Sequence, residues 1–179
     1  MGETATPRLF LTRGLVAIAW GVVFAITSDS LTTGVGVLLV IYPLIDVVGS
    51  IIDARGQEGS ARQTLELNAA VSAAAAVALG IAATGDKGDV LAVFGVWALL
   101  AGAAQLVVAI RRRRTLGSQW PLRLAGGVST LWGIAFLVMS GSNNPTLRMI
   151  GVYAVGGGGE FVLQAWLLTR RTHRMAEAT

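Results

Sequence analysis

Six stretches of this chain are apolar for close to the length of a bilayer crossing. A hydrocarbon core about 30 Å thick takes roughly 20 apolar residues of helix. The first stretch runs from about Leu9 to Thr27, and the second from about Thr32 to Ala54 with Asp46 inside it. The third, Leu67 to Thr84, is rich in alanine, and the fourth, Val90 to Ile110, carries no charge. The fifth runs from about Trp120 to Ser140, and the sixth, from about Met149 to Thr169, contains Glu160. The pattern predicts an all-α membrane protein of six transmembrane helices.

The polar segments between them are punctuated as turns. Ser28-Asp29-Ser30, Gly85-Asp86-Lys87-Gly88-Asp89 and Gly141-Ser142-Asn143-Asn144-Pro145 are short. Arg55 to Arg62 and the arginine run through Gln119 are longer and hydrophilic. Alternating short and long connections group the helices into three hairpins, about 9–54, 67–110 and 120–169, in one domain. Residues 170–179 form a short basic tail. The first stretch has a basic start, but Ala25-Ile26-Thr27 is a poor small-x-small cleavage site, and five more apolar stretches follow. It reads as a retained span.

Composition narrows the chemistry. Charged residues are only 13% of the 179 and hydrophobic residues 54%, too few charges to clothe soluble helices. There is no cysteine and a single histidine, His173 in the tail, which argues against thiol chemistry, a His-based triad or a Cys/His metal site. No nucleophile–base pair, metal cluster or cofactor motif is present, so the expectation is a non-enzymatic protein without cofactor or metal. The net charge of +4 sits in segments that flank apolar runs, the mark of membrane topology and not of nucleic-acid binding.

With the N-terminus inside, the inner side receives Arg8, Arg13, Arg55, Arg62, Arg111, Arg112, Arg113, Arg114, Arg123, Arg170, Arg171 and Arg174. The outer side receives only Lys87 and Arg148. Twelve against two predicts both termini in the cytoplasm. Arg111, Arg112, Arg113 and Arg114 then form an inner-leaflet anchor against anionic lipids. The partners implied are the lipid bilayer and those anionic lipids, with a homo-oligomer left open.

The chain also repeats itself. Trp20-Gly21-Val22-Val23-Phe24 matches Trp132-Gly133-Ile134-Ala135-Phe136, and Leu79-Gly80-Ile81 is a weaker version. Val40-Ile41-Tyr42, Gly95-Val96-Trp97 and Gly151-Val152-Tyr153 correspond in the even spans. Three hairpins spaced by about 55 residues and pointing the same way predict parallel repeats about an axis along the membrane normal.

With Arg13-Gly14 opening the first span, the Trp-Gly-x-x-Phe signatures and the Gly102-x-x-Gln105-Leu106 pattern, the chain resembles the HdeD-like family of small bacterial membrane proteins. The resemblance covers roughly Arg13 to Leu168. It implies a multi-pass protein of the bacterial inner (plasma) membrane, linked through the family's namesake to acid resistance and stress response. The family has no established catalytic residues to carry over.

Two residues stand out for chemistry, Asp46 and Glu160. An acid at helix-centre depth costs about 2.5–3.5 kcal/mol and faces the bundle interior or water. Asp46, Ser50 and Asp53 form one helical stripe, Glu160 and Gln164 another, and Gln105 is the nearest polar group in the second hairpin. One reading is a proton-responsive pair or polar lining of a small transporter or channel, through Asp46, Glu160, Gln164 and Gln105. The plainer one is that each carboxyl locks helix packing. Arg13 and Arg123 start equivalent spans. Either could pair with Asp53 or Glu66, although a long basic side chain there more commonly snorkels to headgroups. Gly156-Gly157-Gly158-Gly159 has no phosphate-loop context and suits close helix approach, as does Ala69 to Ala78.

Overall fold

The computed structural model describes residues 5–116 and 120–177, with side chains described for all of these but 5, 6, 107–109, 111–116, 120–122 and 171–177. Six α-helices follow one another: α1 (Ala5–Thr27), α2 (Thr33–Ala54), α3 (Gly59–Ala82), α4 (Lys87–Leu116), α5 (Trp120–Ser140) and α6 (Arg148–Glu177). Among the described residues there is no strand. Five helices contain segments long and apolar enough to cross a membrane: Pro7–Thr27, Thr33–Ala54, Gly59–Ala82, Lys87–Leu106 and Arg123–Ser140. The described part of α6 is diluted by Gly156 to Gly159, Glu160 and Gln164 and falls short on composition.

The surface of the bundle is compatible with a lipid surrounding. Ile26, Ile81, Leu131 and Val138 are each about 70% exposed, while the inside holds aliphatic side chains such as Leu39, Leu79 and Leu91 together with Phe24, Phe94 and Phe136. Apolar walls of this kind suit hydrocarbon better than water.

Three boundaries differ from expectation. The helix α3 begins at Gly59, so the loop before it is only Arg55 to Glu58. Gly59 takes a left-handed φ of 58°, which glycine adopts without strain and which turns the chain into α3. Arg62 and Glu66 then pair at 2.7 Å across one helical turn, supporting a polar first section that hydropathy alone cannot see. The backbone of α4 continues helically through Arg111–Arg114 to Leu116, and that of α6 through the expected tail to Glu177.

The most extensive interfaces are α1 with α6, α4 with α5, and α2 with α3; contacts of α3 with α4, α1 with α2 and α5 with α6 are sparser. Glycines explain the first two. A Cβ on Gly14 would come 2.7 Å from the Gly158 carbonyl oxygen, and one on Gly21 2.7 Å from that of Gly151. In the other interface Gly95 meets Gly133 and Gly102 meets Gly126, at 2.9 and 2.7 Å by the same measure. Each helix offers two glycines seven residues apart, two turns on one face, so the antiparallel backbones touch directly. The interface of α2 with α3 is built on larger residues, Val40 against Gly80 and Ala83 against Gly36.

The bundle has two distinct ends. At the short-loop end, Lys87 Nζ donates to the Asp29 carbonyl (2.6 Å) and Arg148 Nε to that of Ala25 (3.3 Å), while Arg148 also lies 3.5 Å from the Asp29 carboxylate. Arg148 thereby caps a carbonyl in the last turn of α1, and Lys87 fastens the turn that follows it. Asp86 and Asp89 cap the start of α4 reciprocally, each carboxylate accepting from the other's backbone N–H. Basic residues gather at the opposite end.

Candidate functional site

The polar centre of the molecule is built on α2. Pro43 interrupts that helix and has no N–H to give the turn before it. Trp20 of α1 donates its indole N–H to the Leu38 carbonyl in that turn (3.0 Å) and stacks on Tyr42. Beyond Pro43, Asp46, Ser50 and Asp53 fall on one face at intervals of four and three residues, with Gly49 between them.

Arg13 of α1 crosses this face. Its Nη2 donates to Asp46 Oδ1 and its Nη1 to Asp53 Oδ2, both at 2.8 Å. The guanidinium passes over Gly49, where a Cβ would lie 2.6 Å from its Cζ; only glycine leaves the notch. Phe161 of α6 covers it from the other side, ring centroid 4.7 Å from Cζ, and is itself stacked on Phe10. Arg13 is turned into the bundle and does not pair with Glu66, which is held by Arg62. The expectation that Arg13 snorkels gives way because two carboxylates, not headgroups, satisfy its fork.

Asp46 is saturated. Besides Arg13 on Oδ1, its Oδ2 accepts from Asn68 Nδ2 (2.7 Å) and Ser72 Oγ (2.8 Å), both on α3. Asn68 uses its other amide hydrogen on Ser50 Oγ (2.9 Å). Ser72, fully buried, accepts from the Trp97 indole N–H of α4 at 3.1 Å. Helices α1, α2 and α3 thus meet on one carboxylate, α4 is linked to it through Ser72, and α6 joins through Phe161. A buried charge is tolerable only when paired and hydrogen-bonded like this.

An aromatic cluster lies immediately beyond. Phe94, fully buried, contacts the rings of Tyr42, Trp97, Phe136 and Tyr153, with Trp20 and Trp132 at its flanks. Ser129 donates to the Ala98 carbonyl (3.1 Å) and is hydrogen-bonded to the Tyr153 hydroxyl (2.8 Å), tying α5 to α4 and α6. These rings fill the bundle one turn along α2 from Asp46. A shallow groove of about 280 Å³ at Val128, Leu131, Trp132 and Ala135 opens on the surface of α5 and includes neither Asp46 nor Glu160.

The other sequence-predicted positions lie outside this network. Glu160, Gln164 and Gln105 are partly buried and make no hydrogen bond or ion pair among the described residues. Arg123 has its Nε buried without a partner. The anchor Arg111–Arg114 lies on helical backbone of α4, and its side chains are outside the described residues. Asn68, Ser72, Gly49 and Phe161 were not singled out from sequence, and Trp97 entered only as a repeat position. The available signal was the polar pair Asn68 and Ser72, four apart in a helix otherwise of alanine. Among the described residues no group of His, Cys, Asp and Glu could hold a metal ion.

Comparison of the chain with protein-family models, curated proteins and solved structures returns no match.

Proposed function

We propose that this chain is a non-enzymatic, six-span protein of the bacterial inner membrane, of the acid-stress type that resemblance to the HdeD-like family implies. In this reading the Arg13–Asp46 network fastens the bundle from within. The observation that carries it is that three donors from α1 and α3 hold Asp46 across both its oxygens. The aromatic cluster next to it supports a closed bundle.

The sixth span is α6. It lies antiparallel against α1 through Gly14 with Gly158 and Gly21 with Gly151, so it shares the depth of a helix that spans. Three parallel hairpin repeats are supported by the Trp-Gly-x-x-Phe pair and by interfaces that recur when each odd helix is replaced by the next odd one and each even helix by the next even one. Both termini are cytoplasmic by the arginine bias, and Arg111–Arg114 rest on anionic lipid.

A second reading, a small proton-coupled transporter, has one observation in its favour: Glu160 is partly buried and unpaired among the described residues. Proton flux into liposomes separates the two. Wild type and the Asp46→Asn/Glu160→Gln double variant are both expected to leave the pH gradient intact. A wild-type leak that the double variant abolishes would overturn the first reading.

A further inference from the structure

The network holds one guanidinium and two carboxylates, and the two carboxylates are treated differently. Asp46 receives three donors across both oxygens. Asp53 receives one, on Oδ2, and its Oδ1 has no partner among the described residues. Asp53 also sits in the last turn of α2, where the helix dipole opposes a negative charge, one residue from the end of the helix. Asp46 lies two turns deeper.

Asp53 therefore combines a free oxygen, an unfavourable helix end and access from the arginine-rich end. The charges facing it are few. From α1 comes Arg13; from its own helix, Asp46. From α3 the network receives only the uncharged Asn68 and Ser72, because Arg62 and Glu66 are exposed and paired with each other. From α6 comes the Phe161 ring on Arg13, and Glu160 makes no bond to the network.

Helices α1 and α2 touch sparingly. Toward the short-loop end Trp20 ties them, through Leu38 and Tyr42. Toward the arginine-rich end the hydrogen bonds between them are the two arms of Arg13. We infer that the Arg13–Asp53 arm is a proton-operated latch: a proton taken up on Asp53 Oδ1 removes the charge that holds Arg13 and leaves only a neutral carbonyl at Oδ2, while Asp46 keeps its hold, so the α1–α2 seam loosens at the arginine-rich end. Protonation removes the surplus negative charge and leaves a one-to-one Arg13–Asp46 pair. Asp46 is the hinge, and Asp53 is the catch.

The latch follows from this geometry whether or not the protein serves acid stress or carries solute, and its test reads distance, not flux. Because the chain has no cysteine, introduced cysteines carry labels at unique sites. Thr12→Cys on α1 and Gln57→Cys after α2 are both exposed and flank the seam. Spin-label distances are measured in lipid nanodiscs at about pH 8 and about pH 5. The otherwise wild-type protein should show one distance population at the higher pH and gain a longer one at the lower. Asp53→Asn should show the longer population at both. An unchanged wild-type distance overturns the latch. So does a pH shift that survives in Asp53→Asn, since another group would then operate it, or an Asp53→Asn protein fixed at the short distance.

Discussion

Gly49 and Arg13 are fitted to one another: a Cβ at position 49 would stand 2.6 Å from both Cζ and Nε of the arginine. The absent side chain is what allows one guanidinium to bridge two acids seven residues apart. Arg13 is 12% exposed, and Asp46 and Asp53 are 26% and 21%, so their pairing is not a surface ion pair of negligible worth.

Gly49→Ala should therefore push the guanidinium off its partners. Alanine gains up to about 1 kcal/mol of helix propensity, yet the variant is expected to lose about 1–3 kcal/mol overall through strain in a filled interior. Thermal unfolding in detergent measures this. In an Arg13→Met background the same substitution should cost nothing or stabilise, because the group it strikes is gone.

The glycines divide into two kinds. Gly158 presses on the Gly14 carbonyl, whereas a Cβ on Gly156 would meet nothing within 4 Å. Gly158→Ala should destabilise the protein by about 1–3 kcal/mol, and Gly156→Ala should be neutral or stabilising by up to about 1 kcal/mol. Equal effects at both positions, read from the detergent melting temperature, would contradict the assigned α1–α6 interface.

Trp97→Phe keeps an aromatic body in the cluster and deletes one N–H. Ser72 then loses the donor it accepts from but still donates to Asp46. The expected loss is about 1 kcal/mol, the net value of one hydrogen bond. Ser72→Ala should cost more, because it also strips a donor from a buried carboxylate. Chemical denaturation of the two variants side by side gives the order.

Much of the architecture was legible because a bilayer imposes length. Runs of about 20 apolar residues broken by glycine- and aspartate-rich turns leave few alternatives to helices. The stripe of Asp46, Ser50 and Asp53 was equally legible, since helical period places those three on one face. What faces that stripe is a property of tertiary packing. Loop length made α1 and α2 chain neighbours, yet the glycines at 14 and 21, and at 151 and 158, press α1 most closely on α6. Glu160, like Asp46, was expected near the middle of an even span, but it is its neighbour Phe161 that meets Arg13. Asn68 and Ser72 were hidden in an alanine-rich helix whose composition suggested packing alone.

Orientation has its own test. Single cysteines replacing Asp86 and Arg113, probed with a membrane-impermeant thiol reagent on intact spheroplasts, should label at position 86 only. Labelling at 113 and protection at 86 would invert the orientation and put the Arg13 network at the outer face.

Arg13 and Asp46 hold the bundle together across α1 and α2, and a double-mutant cycle reads their coupling most directly. Reversible unfolding free energies are measured for wild type, Arg13→Met, Asp46→Asn and the pair. Arg13→Met leaves Asp46 and Asp53 without their shared counter-charge and should lose about 3 kcal/mol; Asp46→Asn leaves Arg13 paired with Asp53 and should lose less. The double variant should lose less than the sum, by more than about 1 kcal/mol. Losses that add to within about 0.5 kcal/mol would mean that the two side chains lie 2.8 Å apart without supporting one another, and the central claim would be wrong.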